Sequence, residues 1–192
     1  MVLVDEQDRE LGMAPKRAVH HAATPLHRAF SLFLFDEAGR TLVQRRALAK
    51  QTWPGIWSNA CCGHPGPGEA TADAVRRRCR EELGVEPVAL EVALPDFRYR
   101  AELDGIVENE ICPVFVAALD GQATAVDPRE VAETRWLEWE SFLAELRARP
   151  AGWSPWCVAE AERLDRAPAL RRVSSRPAAD PAGATPRDAA PR

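Results

Sequence analysis

Residues 63–85 read GHPGPGEATADAVRRRCREELGV. Glycines at 63, 66 and 68 and prolines at 65 and 67 break the first six residues into a loop. From Gly68 the pattern turns helical. Ala74, Val75, Cys79 and Leu83 recur three or four apart and make one apolar stripe, and Gly84 ends the helix expected over 68–85. Arg78, Glu81 and Glu82 stand at i, i+3 and i+4 and so form one ridge. A helix carboxylate facing a glycine-rich loop can hold Mg2+ on a phosphate. Ordinary surface ion pairing accounts for the same ridge.

Just upstream, SNACCGH (58–64) reads as a short strand running into that loop. Strand alternation puts Cys62 and His64 on one face and Cys61 on the other. Adjacent cysteines can bridge only through a strained ring, so Cys61 and Cys62 are not expected to pair. The five cysteines are odd in number and contain no Cys-x-x-Cys, which points to reduced thiols and away from a zinc ribbon. Farther along, Glu108 and Glu110 in VENEI also share a face, with Ile106, Cys112 and Val114. Two carboxylates among apolar neighbours need compensation, which a cation supplies. Histidine and glutamate together suit Mn2+, Mg2+ or Zn2+. A solvated strand edge is the alternative.

The rest of the chain alternates strand and helix signals. HRAFSLFLFD (27–36) reads as a buried strand, joined through DEAGR to a hairpin partner at 41–48. FRYRAEL (97–103) and the run 106–119 flank a DG turn, and 132–139 is a further strand. A short helix is expected at about 140–149, and a last one from Ser154-Pro155, an N-cap with proline at the first helical position. Mixed strands between helices predict an α/β sandwich. At 192 residues, 46% apolar and 28% charged, the chain suits one globular domain with an appendage. Residues 167–192 hold five prolines, eight alanines and no aromatic, and are expected to be a disordered tail, so the domain is 1–166. The tail's five Arg and two Asp leave a net charge of −7 on the body, which argues against nucleic-acid binding. No segment reads as a secretory signal or a membrane span, and a cytoplasmic protein is expected.

The 63–85 stretch resembles the Nudix box in Gly63, Glu69, Arg77, Glu81, Glu82 and Gly84, with Arg78 where the box has glutamate. That departure argues against the Nudix hydrolases, whose carboxylate there helps to bind metal. Four further stretches resemble type I isopentenyl-diphosphate Δ-isomerases: KRAVHHAATPLHRAF, RRALAKQTWPGIWSNACCGHP, PDFRYRAELDGIVENEICPVF and SPWCV. The resemblance implies an α/β fold, a Nudix-like α/β/α sandwich with a mixed sheet, acting as a monomer in isoprenoid biosynthesis. It implies a small diphosphate substrate and no membrane or nucleic-acid partner. His20, His27, His64, Glu108 and Glu110 match a divalent-metal site taking Mn2+, Mg2+ or Zn2+. Glu82 and the Cys62 backbone carbonyl match a second site, where Mg2+ bridges to the diphosphate. Lys16, Arg46, Lys50 and Arg78 match diphosphate contacts, and Trp156 matches an aromatic wall. Cys62, Glu110 and Tyr99 match the groups that move protons. A hydrolase and a non-catalytic binding module of the same fold are the rival readings.

Overall fold

The computed structural model describes residues 1–119 and 126–175. Its centre is β4 (Phe30–Phe35), FSLFLF, in which every residue is buried. The pleat sends Phe30, Leu32 and Leu34 to one side and Phe33 and Phe35 to the other. Helix α2 (Thr71–Leu83) covers the first side with Ala74, Val75, Cys79 and Leu83, the stripe read from its spacing. Three helices cover the second: α3 (Trp139–Ala148), α4 (Pro155–Leu164) and α5 (Pro168–Ser174). The layers are those of an α/β/α sandwich.

Two mixed sheets replace the single one expected. The first has the order β2 (Glu10–Met13), β1 (Val2–Val4), β3 (His27–Arg28), β10 (Ile106–Ile111), β9 (Arg98–Leu103). The second runs β12 (Val131–Leu137), β5 (Thr41–Arg46), β4, β11 (Val114–Ala118), β8 (Val88–Leu94). The two sheets are linked by two chain segments lying parallel. His27–Arg28 pairs with β10, and Phe30–Phe35 pairs with β11. Each segment breaks at the same level, one at Ala29 and the other at Cys112-Pro113, and Ala29 N–H donates to the Ile111 carbonyl at 2.9 Å. Pro113 has no N–H to continue a ladder, so the change of sheet falls there.

The turn at 36–40 forms as expected, yet β5 pairs with β4 only at Phe35 and Thr41. The strands then diverge. Between them lie β6 (Trp57–Asn59), paired with β5, and β7 (Cys61–Gly63), paired with β4. This wedge carries the cysteine pair into the middle of the sheet.

The described fold runs past the domain boundary expected at Arg166. Residues 168–174 form α5, with Ala169, Leu170 and Val173 buried against β8 and β11. Three apolar residues in seven suffice to dock one short helix on an existing core, although they are too few to outweigh the tail's composition. The rest of the expected tail, 176–192, lies outside the described residues. Ser154 stands at the N-cap of α4 but does not cap it, because its hydroxyl pairs with that of Ser58 at 2.8 Å. Among the described residues no helix is long and apolar enough to cross a membrane.

Candidate active site

One row of residues crosses the first sheet at the break. Strand register places His27 beside Glu110 and Glu110 beside Tyr99. His64, just past β7, comes in from the other sheet, with Nε2 3.1 Å from Glu110 Oε1. His20 arrives from the end of helix α1 (Lys16–Val19). The three imidazole centroids lie 5.3 to 6.0 Å apart, and the ligand atoms of His20, His27, His64 and Glu110 fall within 4.8 Å of one another. His21, the neighbouring histidine, is exposed and accepts the Ala23 N–H instead.

The donor set fits a divalent cation. His27 Nδ1 is 2.8 Å from the Pro25 carbonyl, to which it donates, and this leaves its Nε2 lone pair for the cluster. Buried His20 Nε2, His27 Nε2 and Glu108 Oε2 have no hydrogen-bond partner among the described residues. His20 Nε2 and Glu108 Oε2 approach to 2.9 Å without the alignment of a hydrogen bond, as two donors aimed at a common third point would. Burial alone would raise the Glu110 carboxyl. The imidazoles of His27, 3.4 Å away, and His64, 3.1 Å away, outweigh it and hold that carboxyl well below the usual range. His64, dominated by burial, is lowered and so favours the neutral, metal-binding form.

Beside this cluster is a cavity of about 320 Å³. Cys62, Tyr99 and Trp156 line it, as do Lys16, Arg46 and Lys50. Cys61 points the other way, fully buried beside Cys79 on α2. Alternation therefore separates the two thiols as their spacing predicted. Burial, with buried Glu160 nearby, pushes the Cys62 thiol up to about 12, while its S–H donates to Asn59 Oδ1 at 3.3 Å. Tyr99 is raised well above its ordinary value by burial and then by Glu110, so its O–H keeps its proton at neutral pH. Its ring lies 5.4 Å from that of Trp156, which meets Trp53 edge-on at 5.2 Å.

The cationic rim differs in detail from expectation. Arg46 donates from Nε and Nη2 to the Thr52 and Trp53 carbonyls and to Thr52 Oγ1, and its guanidinium sits 5.5 Å from the Trp156 ring centre. It thus braces loop 52–53 as well as lining the cavity. Lys16 is lowered by burial and by Lys50 and Arg78, which marks a crowded positive field. Glu130, which no motif or spacing singled out, ties this field together by pairing with Lys50 and with Arg78. Burial would raise its carboxyl, but Lys50 and Arg78 hold it at about 2. Arg78 also pairs with Glu82, which is buried and lines the adjoining cleft with Glu130 and Asp127. Glu69 fastens the glycine loop: it accepts the Gly66 N–H at 2.6 Å and pairs with Arg77 at 2.8 Å.

Comparison with known proteins accords with this geometry. The NUDIX domain family model matches residues 25–157. A protein of Mycolicibacterium vanbaalenii named isopentenyl-diphosphate Delta-isomerase is 55% identical over 170 residues, covering 87% of this chain and 92% of that one. One of the same name from Frankia alni is 55% identical over 159 residues, covering 82% and 81%. Among solved structures, one from Deinococcus radiodurans superposes with a TM-score of 0.67 at 22% identity, covering 86% of this chain and 98% of that one. A MutT protein of Methanosarcina mazei gives 0.58 at 24%, covering 74% and 94%. At these identities the two structures speak for the fold alone.

Proposed function

This chain belongs to the isopentenyl-diphosphate Delta-isomerase family of NUDIX-domain proteins, and from that premise we propose how its own residues interconvert isopentenyl and dimethylallyl diphosphate in isoprenoid biosynthesis. The observation that carries the reading is the meeting, in one cavity, of a thiol on one strand wedge and a tyrosine–glutamate pair on the other sheet. Moving a double bond along a carbon chain adds one proton and removes another, and two separate groups can do this without turning the substrate.

Lys16, Lys50 and Arg78 hold the diphosphate by charge-assisted hydrogen bonds. Glu130 keeps those cations gathered, and Arg46 contributes from the end of β5. Tyr99, with Glu110 behind it, handles the proton on one side of the chain, and Cys62 handles it on the other. The face of Trp156 lies against the carbon that becomes positive, an interaction worth about 0.5–2 kcal/mol. The aromatic wall keeps water from that carbon. His20, His27, His64, Glu108 and Glu110 would hold Mn2+, Mg2+ or Zn2+, and Glu82 with the Cys62 carbonyl would hold Mg2+ near the diphosphate. Such cations, when bound, supply positive charge that makes a neighbouring acid readier to give its proton. The reading includes a monomeric enzyme with a cytoplasmic address.

The two cysteines test this directly. Cys62→Ala is expected to lower turnover by roughly 10²–10⁴-fold, the usual worth of a positioned acid or base. Cys61→Ala, on the packing side, should keep most activity. Equal losses in both variants, or no loss in Cys62→Ala, would remove the thiol from the mechanism.

A further inference from the structure

One carboxylate already spans the cationic rim of the cavity. Glu130 Oε2 accepts from Lys50 Nζ, and Glu130 Oε1 lies 3.2 Å from Arg78 Nη2. These two cations are diphosphate contacts of the proposed mechanism, and their donors are in use. Arg78 also gives Nη1 to Glu81 at 2.9 Å and Nη2 to Glu82. Arg46 commits Nε and Nη2 to Thr52 and Trp53. A diphosphate entering the cavity therefore meets donors that already have acceptors, with a carboxylate of like charge beside them.

Among the carboxylates on Arg78, Glu130 is the one placed to give way. Glu82 is buried on α2. Glu81 is exposed and lines the adjoining cleft, not the cavity. Glu130 lines both spaces, and a quarter of its side chain remains open to solvent. Its backbone is pinned just before β12. The Glu130 N–H donates to the Asp127 carbonyl and the Glu130 carbonyl accepts the Ala47 N–H, each at 3.0 Å. The carboxylate can thus leave the cations by rotamer change alone, while the strand stays in place.

We propose that Glu130 is a stand-in anion: it holds the donors of Lys50 and Arg78 while the site is empty, and the substrate's diphosphate displaces it. In the free protein the carboxylate keeps two like charges from repelling each other. It yields to a ligand that brings more negative charge and more oxygens to the same donors. The exchange is one of ion pairs only, and no covalent bond changes. The proposal rests on Lys50 and Arg78 being diphosphate contacts.

Inorganic pyrophosphate, titrated by calorimetry into the protein supplied with Mg2+, reads this exchange without catalysis. Glu130→Gln keeps the shape and removes the negative charge. It should bind pyrophosphate about three- to tenfold more tightly than the parent, because two partly exposed ion pairs no longer have to break. Damage to the site would weaken binding, so the sign separates displacement from a structural role. Equal or weaker binding in Glu130→Gln overturns the proposal and makes Glu130 a fixed part of the clamp, and failure of that variant to fold overturns it as well. Asp127→Asn removes a nearby carboxylate that pairs with Arg129. If it tightens binding as much as Glu130→Gln does, the gain is a general effect of charge and the proposal falls. Lys50→Met tells two failures apart. If it binds pyrophosphate as the parent does, the cationic rim is misread and the proposal goes with that reading. If it binds about tenfold more weakly while Glu130→Gln gains nothing, the proposal alone falls.

Discussion

An alanine Cβ at Gly63 would meet the Phe30 ring and Arg78 Cγ, each at 3.0 Å. The missing side chain lets the Phe30 ring and Arg78 close over Gly63, which pairs with Phe30 in the sheet, while Arg78 reaches on toward Glu82 and Glu130. Gly63→Ala should therefore destabilise the protein by about 1–3 kcal/mol, the usual cost of overpacking, and weaken diphosphate binding by displacing Arg78. Urea unfolding and substrate KM would report both, and an unchanged KM would free Arg78 from this constraint. Single residues were readable in the sequence where one local rule sufficed. Alternation separated Cys61 from Cys62, and the i, i+2 spacing put Glu108 and Glu110 together. Ser31, Glu130 and Glu160 were not readable. Ser31 and Glu130 meet partners 31 to 81 positions away, and no local periodicity distinguishes buried Glu160 on α4 from its solvated neighbour Glu162.

Helix α2 was the most legible element, since its apolar stripe, its Gly84 stop with φ of 67° and its acidic ridge all agree. Its bounds, Thr71–Leu83, are three residues later at the start than read, because Glu69 is spent on the loop. The Arg77 guanidinium holds the Glu69 carboxyl at about 2, below its ordinary 4.5. A depressed carboxyl contributes stability above its unfolded value and loses it as pH falls through its folded one. Glu69→Gln should thus be less stable than the parent near neutral pH, with the gap closing between pH 4.5 and about 2. A gap in thermal midpoint that stays constant over that window would show that the ion pair does not stabilise the loop. Partial exposure of both side chains keeps the expected gap small. Other elements were harder to read. The breaks at Ala29 and Cys112-Pro113 sit inside the stretches 27–36 and 106–119, each of which reads as one unbroken strand although it serves two sheets. β1, β2 and β8 are too short or too mixed to carry a period of their own.

Two sheets meeting at a common break create the cavity, because only there can a histidine from one sheet, a histidine from the other and a helix terminus converge. The α/β/α layering followed from the order of strand and helix signals. The division into two sheets did not, because sheet membership is decided by pairing across the chain. α5 closes the far side of the sandwich, and ending the chain at Arg166 should cost about 3–5 kcal/mol from exposing Leu170, Val173 and their partners. An unchanged urea midpoint after that truncation would mean that α5 contributes nothing to the core. On the proposed mechanism this assembled cavity moves protons at carbon and leaves the diphosphate intact. Incubation with isopentenyl diphosphate and Mg2+ in deuterated water is the sharpest test. Dimethylallyl diphosphate carrying deuterium on carbon, with no phosphate released, is the expected result; free phosphate without labelled product would overturn the mechanism.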